Sequence, residues 1–97
     1  MNRVSACLIT LNEEENLPRA LASLKSVADE IIVVDSGSTD RTQEIAQANG
    51  AAWFERAWTN YADQKNYAAE CASHDWVFSM DADEELSSPL QTSLLSW

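Results

Sequence analysis

Four β-branched residues in a row, Ile31-Ile32-Val33-Val34, limit what this chain can become. Branching at Cβ restricts χ1 and suits a pleated surface, so such a run favours a strand. A strand with one face in water alternates apolar and polar residues, and this one does not. It needs cover on both faces, which is the situation of a parallel sheet sandwiched between helices.

The rest of the chain supplies the alternation that such a sheet requires. Residues 4–10, VSACLIT, predict a first strand. A helix is expected from about Leu17, with Asn16 as its cap and Pro18 tolerated in the first turn. Leu17, Leu21, Leu24 and Ala28 fall on one apolar stripe at helical spacing. Glu13, Glu14 and Glu15 just before it place negative charge where a helix N-terminus favours it. After the β-branched strand, Asp40 and Gln43 predict a capping-box start to a second helix. That helix carries Ile45 and Ala46 inward, and Gly50 ends it. Residues 51–55 predict a short third strand. Thr59 or Asn60 then caps a helix running to about Ala72, with Ala68, Ala69 and Ala72 as its close-packing side. A buried strand is expected at 76–80, and Ser88-Pro89-Leu90-Gln91 has the form of one more capped helix start. The order β-α-β-α-β-α-β-(α) is that of an α/β domain with an open, mainly parallel sheet and helices on both faces. Ninety-seven residues suffice for one small domain. The last predicted helix runs to Trp97 without a stop signal, so the chain is expected to be the first part of a longer protein.

Charge and cysteine content narrow the function classes. The net charge is −10, and six Lys and Arg are too few to meet a nucleic acid backbone. Cys7 and Cys71 lack CxxC spacing, so neither a disulfide framework nor a zinc site is indicated. No run has the length of a spanning helix or the layout of a signal peptide, which sets a cytoplasmic location as the expectation.

Three predicted strands end in polar residues: Thr10-Leu11-Asn12, Asp35-Ser36-Gly37-Ser38-Thr39-Asp40 and Asp81-Ala82-Asp83. Ligands of open α/β sheets lie beyond the carboxyl ends of the strands. Neither GxGxxG nor GxxxxGK[ST] is present, so backbone amides of a glycine loop are not available to carry phosphates. Residues 81–85, DADEE, crowd four carboxylates into five positions. Full solvation or a bound divalent cation relieves their repulsion, and Asp-x-Asp spacing can aim two oxygens at one hard ion. His74 has no partner pattern and is given no role.

In their order and spacing, SACLITLNEEENLPRALASL, EIIVVDSGSTDRTQEIA and WVFSMDADEE resemble the family-2 glycosyltransferases, which have the GT-A fold. The stretch NYADQKNYAAECASHDWVFSMDADEE is similar to the branch that adds glucose or related sugars to the lipopolysaccharide core. The resemblance implies a UDP-sugar or other nucleoside-diphosphate sugar as donor and a saccharide or lipid-linked saccharide as acceptor. It also implies a divalent cation, Mg²⁺ or Mn²⁺, and is compatible with peripheral contact at the cytoplasmic face of the inner membrane. By this resemblance the donor site comprises Thr10, Leu11, Asn12, Glu14, Asp35, Ser36, Lys65, Asp81 and Ala82. Thr10 and Asn12 would line the nucleoside pocket, and Asp35 would accept a hydrogen bond from a uracil-type base. Lys65 would face base or phosphates. Asp81 would reach ribose or metal, and Asp83 would bind the metal directly. The general base of such enzymes is expected beyond residue 97. A dehalogenase-type phosphatase also uses DxD, but Glu85 stands where its pattern wants Thr or Val. A phosphoacceptor receiver module, with Asp35 as acceptor, and a tryptophan-bearing interaction domain are the remaining alternatives.

Overall fold

The computed structural model describes residues 3–73 and 76–82. Four strands, β1 (Val4–Thr10), β2 (Glu30–Asp35), β3 (Ala52–Glu55) and β4 (Trp76–Ser79), form one sheet in the order β3-β2-β1-β4. Every pairing is parallel. Three helices, α1 (Leu17–Leu24), α2 (Thr42–Ala48) and α3 (Tyr61–Cys71), connect the strands in turn.

The β-branched run behaves as its composition requires. Val33 joins Leu8, Leu17, Leu21, Leu24 and Ala46 in a core on the α1 and α2 side. Its neighbours Ile32 and Val34 point the other way, into a smaller core with Cys7 and Ala68 under α3. Alternate residues of one strand therefore serve two separate cores. The layering predicted from sequence, helices on both faces of a parallel sheet, is what the chain adopts.

Local details differ from expectation where a side chain found a better partner. Asn16 stands at the α1 N-cap but is in helical conformation (φ −96°, ψ −30°) and makes no capping bond. Its amide instead donates to the Glu13 carboxylate. The Asp40–Gln43 capping box does not form, because α2 begins at Thr42 and Asp40 accepts from the Thr42 amide and hydroxyl. Ala68 is buried as predicted, but Ala69 is exposed, since the packed side of α3 runs through Gln64 and Ala68. Strand β4 was expected to be buried, yet Trp76 and Val77 are 44% and 43% exposed. It pairs on one side only among the described residues, so its outer face meets no second strand there. The helix predicted from residue 88, and Trp97, lie outside the described residues.

The ends of α2 and α3 follow their sequence signals. Asn60 caps α3, its Oδ1 accepting from the Asp63 amide at 2.8 Å. Gly50 closes α2 at φ +77°, its amide donating to Gln47 O while that of Ala51 reaches Ala46 O. This is the paired 6→1 and 5→2 arrangement that needs a left-handed residue. A Cβ built on Gly50 would touch nothing within 4 Å, so backbone conformation is the whole restriction. Gly50→Ala is expected to lower stability by about 1 kcal/mol, and Gly50→Asn by less, as read from urea unfolding. Equal losses for both would place the cost in packing.

Candidate functional site

The site is built where β1 and β2 end side by side. Their ladder brings Thr10 opposite Asp35, and the Ser36 amide extends it by donating to Thr10 O at 3.1 Å. Asp35 is buried, 1% exposed, and buried carboxylates require partners. It has four. The Thr10 and Ser38 hydroxyls donate to Oδ1, and the Gly37 and Ser38 amides donate to Oδ2 at 2.8 and 2.6 Å. Both lone-pair positions on each oxygen are thereby filled from within the chain. Asp35, expected to meet a base, holds these four donors in this arrangement. Ser36, the next residue, is the one that faces the cavity described below.

A second carboxylate repeats the device one turn further out. Asp40 Oδ2 accepts from the Glu14 amide at 3.2 Å, while its Oδ1 holds Thr42. The Thr42 hydroxyl in turn accepts from the Glu13 amide at 2.9 Å. Asn12 completes the junction. It sits in the left-handed region at φ 53°, where Asn is among the few side chains tolerated. There its amide reaches Ser38 Oγ at 2.8 Å and its Oδ1 receives the Thr39 amide at 2.9 Å. The loop after β1 and the loop after β2 are thus one cross-braced unit.

Between that unit and the start of α3 lies a cavity of about 260 Å³. Thr10, Leu11, Ser36, Trp58 and Tyr61 are among its lining residues. A larger hollow of about 380 Å³ lies at the opposite end of the sheet, beside Glu30 and Ala52. The smaller one occupies the carboxyl ends of the strands, where α/β sheets bind ligands, and is the candidate site. Gln64, 0% exposed, fastens α3 there: its amide donates to Arg56 O, and Arg56 donates back to its Oε1 at 3.0 Å. Arg56 is tied to the same strand end through its own amide on Asp35 O.

Of the residues expected to form the donor site, Thr10, Leu11 and Ser36 come together at the cavity. Asn12 and Asp35 brace it from behind, and Glu14 contributes its backbone amide to that bracing. Lys65 is exposed on α3 and borders a narrow slot with Cys7, Ala68 and Met80 between α3, β1 and β4. Asp81 is exposed just past β4, where Met80 still donates to Cys7 O. Ala82 is 3% exposed and packs in the core on the α1 and α2 side, away from the cavity lining. Asp83 lies outside the described residues, as do Glu84 and Glu85. Among the described residues no three of His, Cys, Asp and Glu gather around one point. An exposed carboxylate at this position is chemically suited to Mg²⁺ or Mn²⁺, which seek hard oxygen ligands. Trp58, Tyr61 and Gln64 were not singled out from sequence as cavity residues. The WTNY segment carried a signal only in its two aromatics flanking a helix cap.

Residues 5–96 match the family model described as glycosyl transferase family 2. An uncharacterised glycosyltransferase of Rickettsia bellii is 46% identical over 95% of this chain and 31% of its own length. The lipopolysaccharide core biosynthesis glycosyltransferase LpsC of Rhizobium meliloti is 44% identical over 94% of this chain and 35% of its own. The chain thus spans about a third of the length of the curated relatives it matches. In three dimensions it is similar to glucosyl-3-phosphoglycerate synthase of M. tuberculosis, with a TM-score of 0.79, 28% identity, and coverage of 97% of this chain and 39% of the other. A further structure of that synthase, at TM-score 0.74, is a complex with Mn²⁺, UDP and glucosyl-3-phosphoglycerate.

Two outcomes test the braced loops. Asp35→Asn keeps an oxygen for the Gly37 and Ser38 amides but turns an NH₂ towards the Thr10 and Ser38 hydroxyls, which must then accept rather than donate. The lost charge-assisted bonds are expected to cost about 2 kcal/mol in urea unfolding, and an unchanged midpoint would contradict the four-donor arrangement. The Asp40 carboxyl titrates below its usual 3.8, first because the Thr42 hydroxyl donates to it. A depressed folded pKa means the stabilisation is present above 3.8 and fades as pH falls below it. The stability gap between wild type and Asp40→Asn should therefore narrow on acidification, and a gap that widens would reverse the assignment.

Proposed function

The chain belongs to glycosyl transferase family 2, and from that premise we propose that residues 1–97 form the donor-binding part of an inverting, metal-dependent glycosyltransferase. Its donor is a UDP-sugar, with glucose or a related hexose as the transferred group. Its acceptor is a saccharide of the lipopolysaccharide core or a lipid-linked precursor. The observation that carries this reading is the convergence of Thr10, Leu11 and Ser36 on one cavity at adjacent strand ends, with Asp81 exposed past β4 of the same sheet. The name of the Rhizobium relative supports the lipopolysaccharide assignment. The synthase complexes with Mn²⁺ or Mg²⁺ and UDP support donor and cation.

The proposed division of labour follows from the chemistry. The acceptor oxygen attacks the anomeric carbon from the face opposite the leaving group, a new C–O bond forms, and the bond to the diphosphate oxygen breaks with its electron pair. The acceptor's proton passes to a carboxylate base beyond residue 97. Thr10, Leu11 and Ser36 seat the nucleoside, while Lys65 offers positive charge at the slot between β1 and β4. Asp81 and Asp83 would hold the divalent cation, which when bound supplies charge neutralisation to the departing diphosphate. A cytoplasmic location suits a nucleotide-sugar donor, with contact at the inner membrane where the acceptor is lipid-linked. Among the described residues no helix is long and apolar enough to cross a membrane.

A receiver-type module fits the geometry less well. Its aspartate must be reached by a phosphoryl group, and Asp35 is buried with every acceptor position occupied.

Calorimetric titration with UDP, with and without Mn²⁺, tests the reading. Binding that requires Mn²⁺ and weakens at least tenfold in Asp83→Ala is expected, since loss of even an outer-shell partner of a metal ligand costs about 10–100-fold. Binding indifferent to both metal and substitution would remove the DxD from the mechanism.

A further inference from the structure

Trp58 and Tyr61 are an unusual pair to leave in water. They are 47% and 64% exposed, and their rings meet edge to face with centroids 4.9 Å apart. They pack on each other at the cavity mouth and belong to neither core. Leu11, also 52% exposed, lines the same cavity.

Apart from the Glu13 carboxylate, which also lines the cavity and accepts from the Asn16 amide, the neighbouring hydroxyl and amide groups donate within the chain. The Thr10 hydroxyl donates to Asp35, the Ser36 hydroxyl to Thr10 O, and the Gln64 amide to Arg56 O. With those hydrogens committed, the cavity offers a ligand mainly apolar faces. A volume of about 260 Å³ at the strand ends admits one flat heterocycle with its sugar. The aromatic pair is also held in place. Asn60 caps the helix between the two rings, and Gln64 anchors the next turn to the end of β3. A ring fixed before the ligand arrives loses little freedom on binding.

We infer that Trp58 and Tyr61 form the aromatic wall on which the base of the donor nucleotide stacks, with Leu11 as the apolar group across the cavity. The inference rests on the nucleotide-sugar reading and adds to it the residues that recognise the base. It assigns base binding to the first turn of α3 and the residues just before it, and leaves Asp35 as a positioning residue that holds Thr10 and the loop after β2.

The test uses the 97-residue chain and its Trp58→Ala, Trp58→Phe and Tyr61→Ala variants. Each is titrated in Mn²⁺ with UDP and, separately, with inorganic pyrophosphate, which has no base. Stacking on an aromatic side chain predicts about tenfold weaker UDP binding in Trp58→Ala, substantial recovery in Trp58→Phe, and unchanged pyrophosphate binding. Because both rings are exposed, urea midpoints should stay close to wild type. UDP affinity unchanged in both alanine variants would overturn the wall while leaving the donor reading standing. So would equal weakening towards UDP and pyrophosphate, or vesicle binding lost in Trp58→Ala with UDP affinity intact. A wild-type chain that binds pyrophosphate and ignores UDP would overturn the donor reading and the wall together.

Discussion

The Asp35 carboxylate is the interaction from which the rest of this site follows. Placing a carboxylate at the end of a buried strand is costly unless donors surround it, and the chain supplies donors from two loops. Thr10 comes from the end of β1, Gly37 and Ser38 from the turn after β2. Satisfying one buried group therefore fixes where both loops begin. The further bonds of Asn12, Asp40 and Thr42 then hold them along their length. A half-satisfied network of this kind would be worse than an apolar contact, whereas a complete one specifies a single arrangement.

This bracing explains how a short chain presents a formed cavity. Helices α1 and α2 bury the larger core against one face of the sheet. The α3 face is thinner, with a core of Cys7, Ile32, Val34 and Ala68, and the cavity opens on that side. Helix α3 is held less by hydrophobic packing than by polar fastenings at its start, through Asn60, Gln64 and Arg56. The candidate site and the fold share residues there.

Much of this was legible in sequence, and the reasons are specific. The unalternating run at Ile31 to Val34 required two covered faces and obtained them. Two of the three polar strand ends, after β1 and β2, line the candidate cavity. Side-chain partnership was less legible. Asp40 was placed in a capping box with Gln43 because that spacing is common, but a threonine two residues on offered both an amide and a hydroxyl. Nothing local announces that Thr10 and Ser38 will both donate to Asp35; those contacts depend on strand register. Gln64 carries no hydrophobic signal, yet its complete burial sets which side of α3 packs, and Ala69 is turned outward as a result. Strand β4 read as buried from its apolar letters, while burial depends on what lies next to it in the sheet.

The strand order has a consequence for how the molecule comes to exist during synthesis. Strand β1 precedes the other three strands in the chain, yet it is an interior strand, pairing with β2 on one side and β4 on the other. Val4 must wait for Trp76 before its second edge is closed. Until then, the nascent chain carries an apolar strand edge that can be templated by another chain. Pairings between residues so far apart in sequence also form slowly. A β3-β2-β1 sheet lacking β4 would expose the free edge of β1, and pairing with β4 covers it.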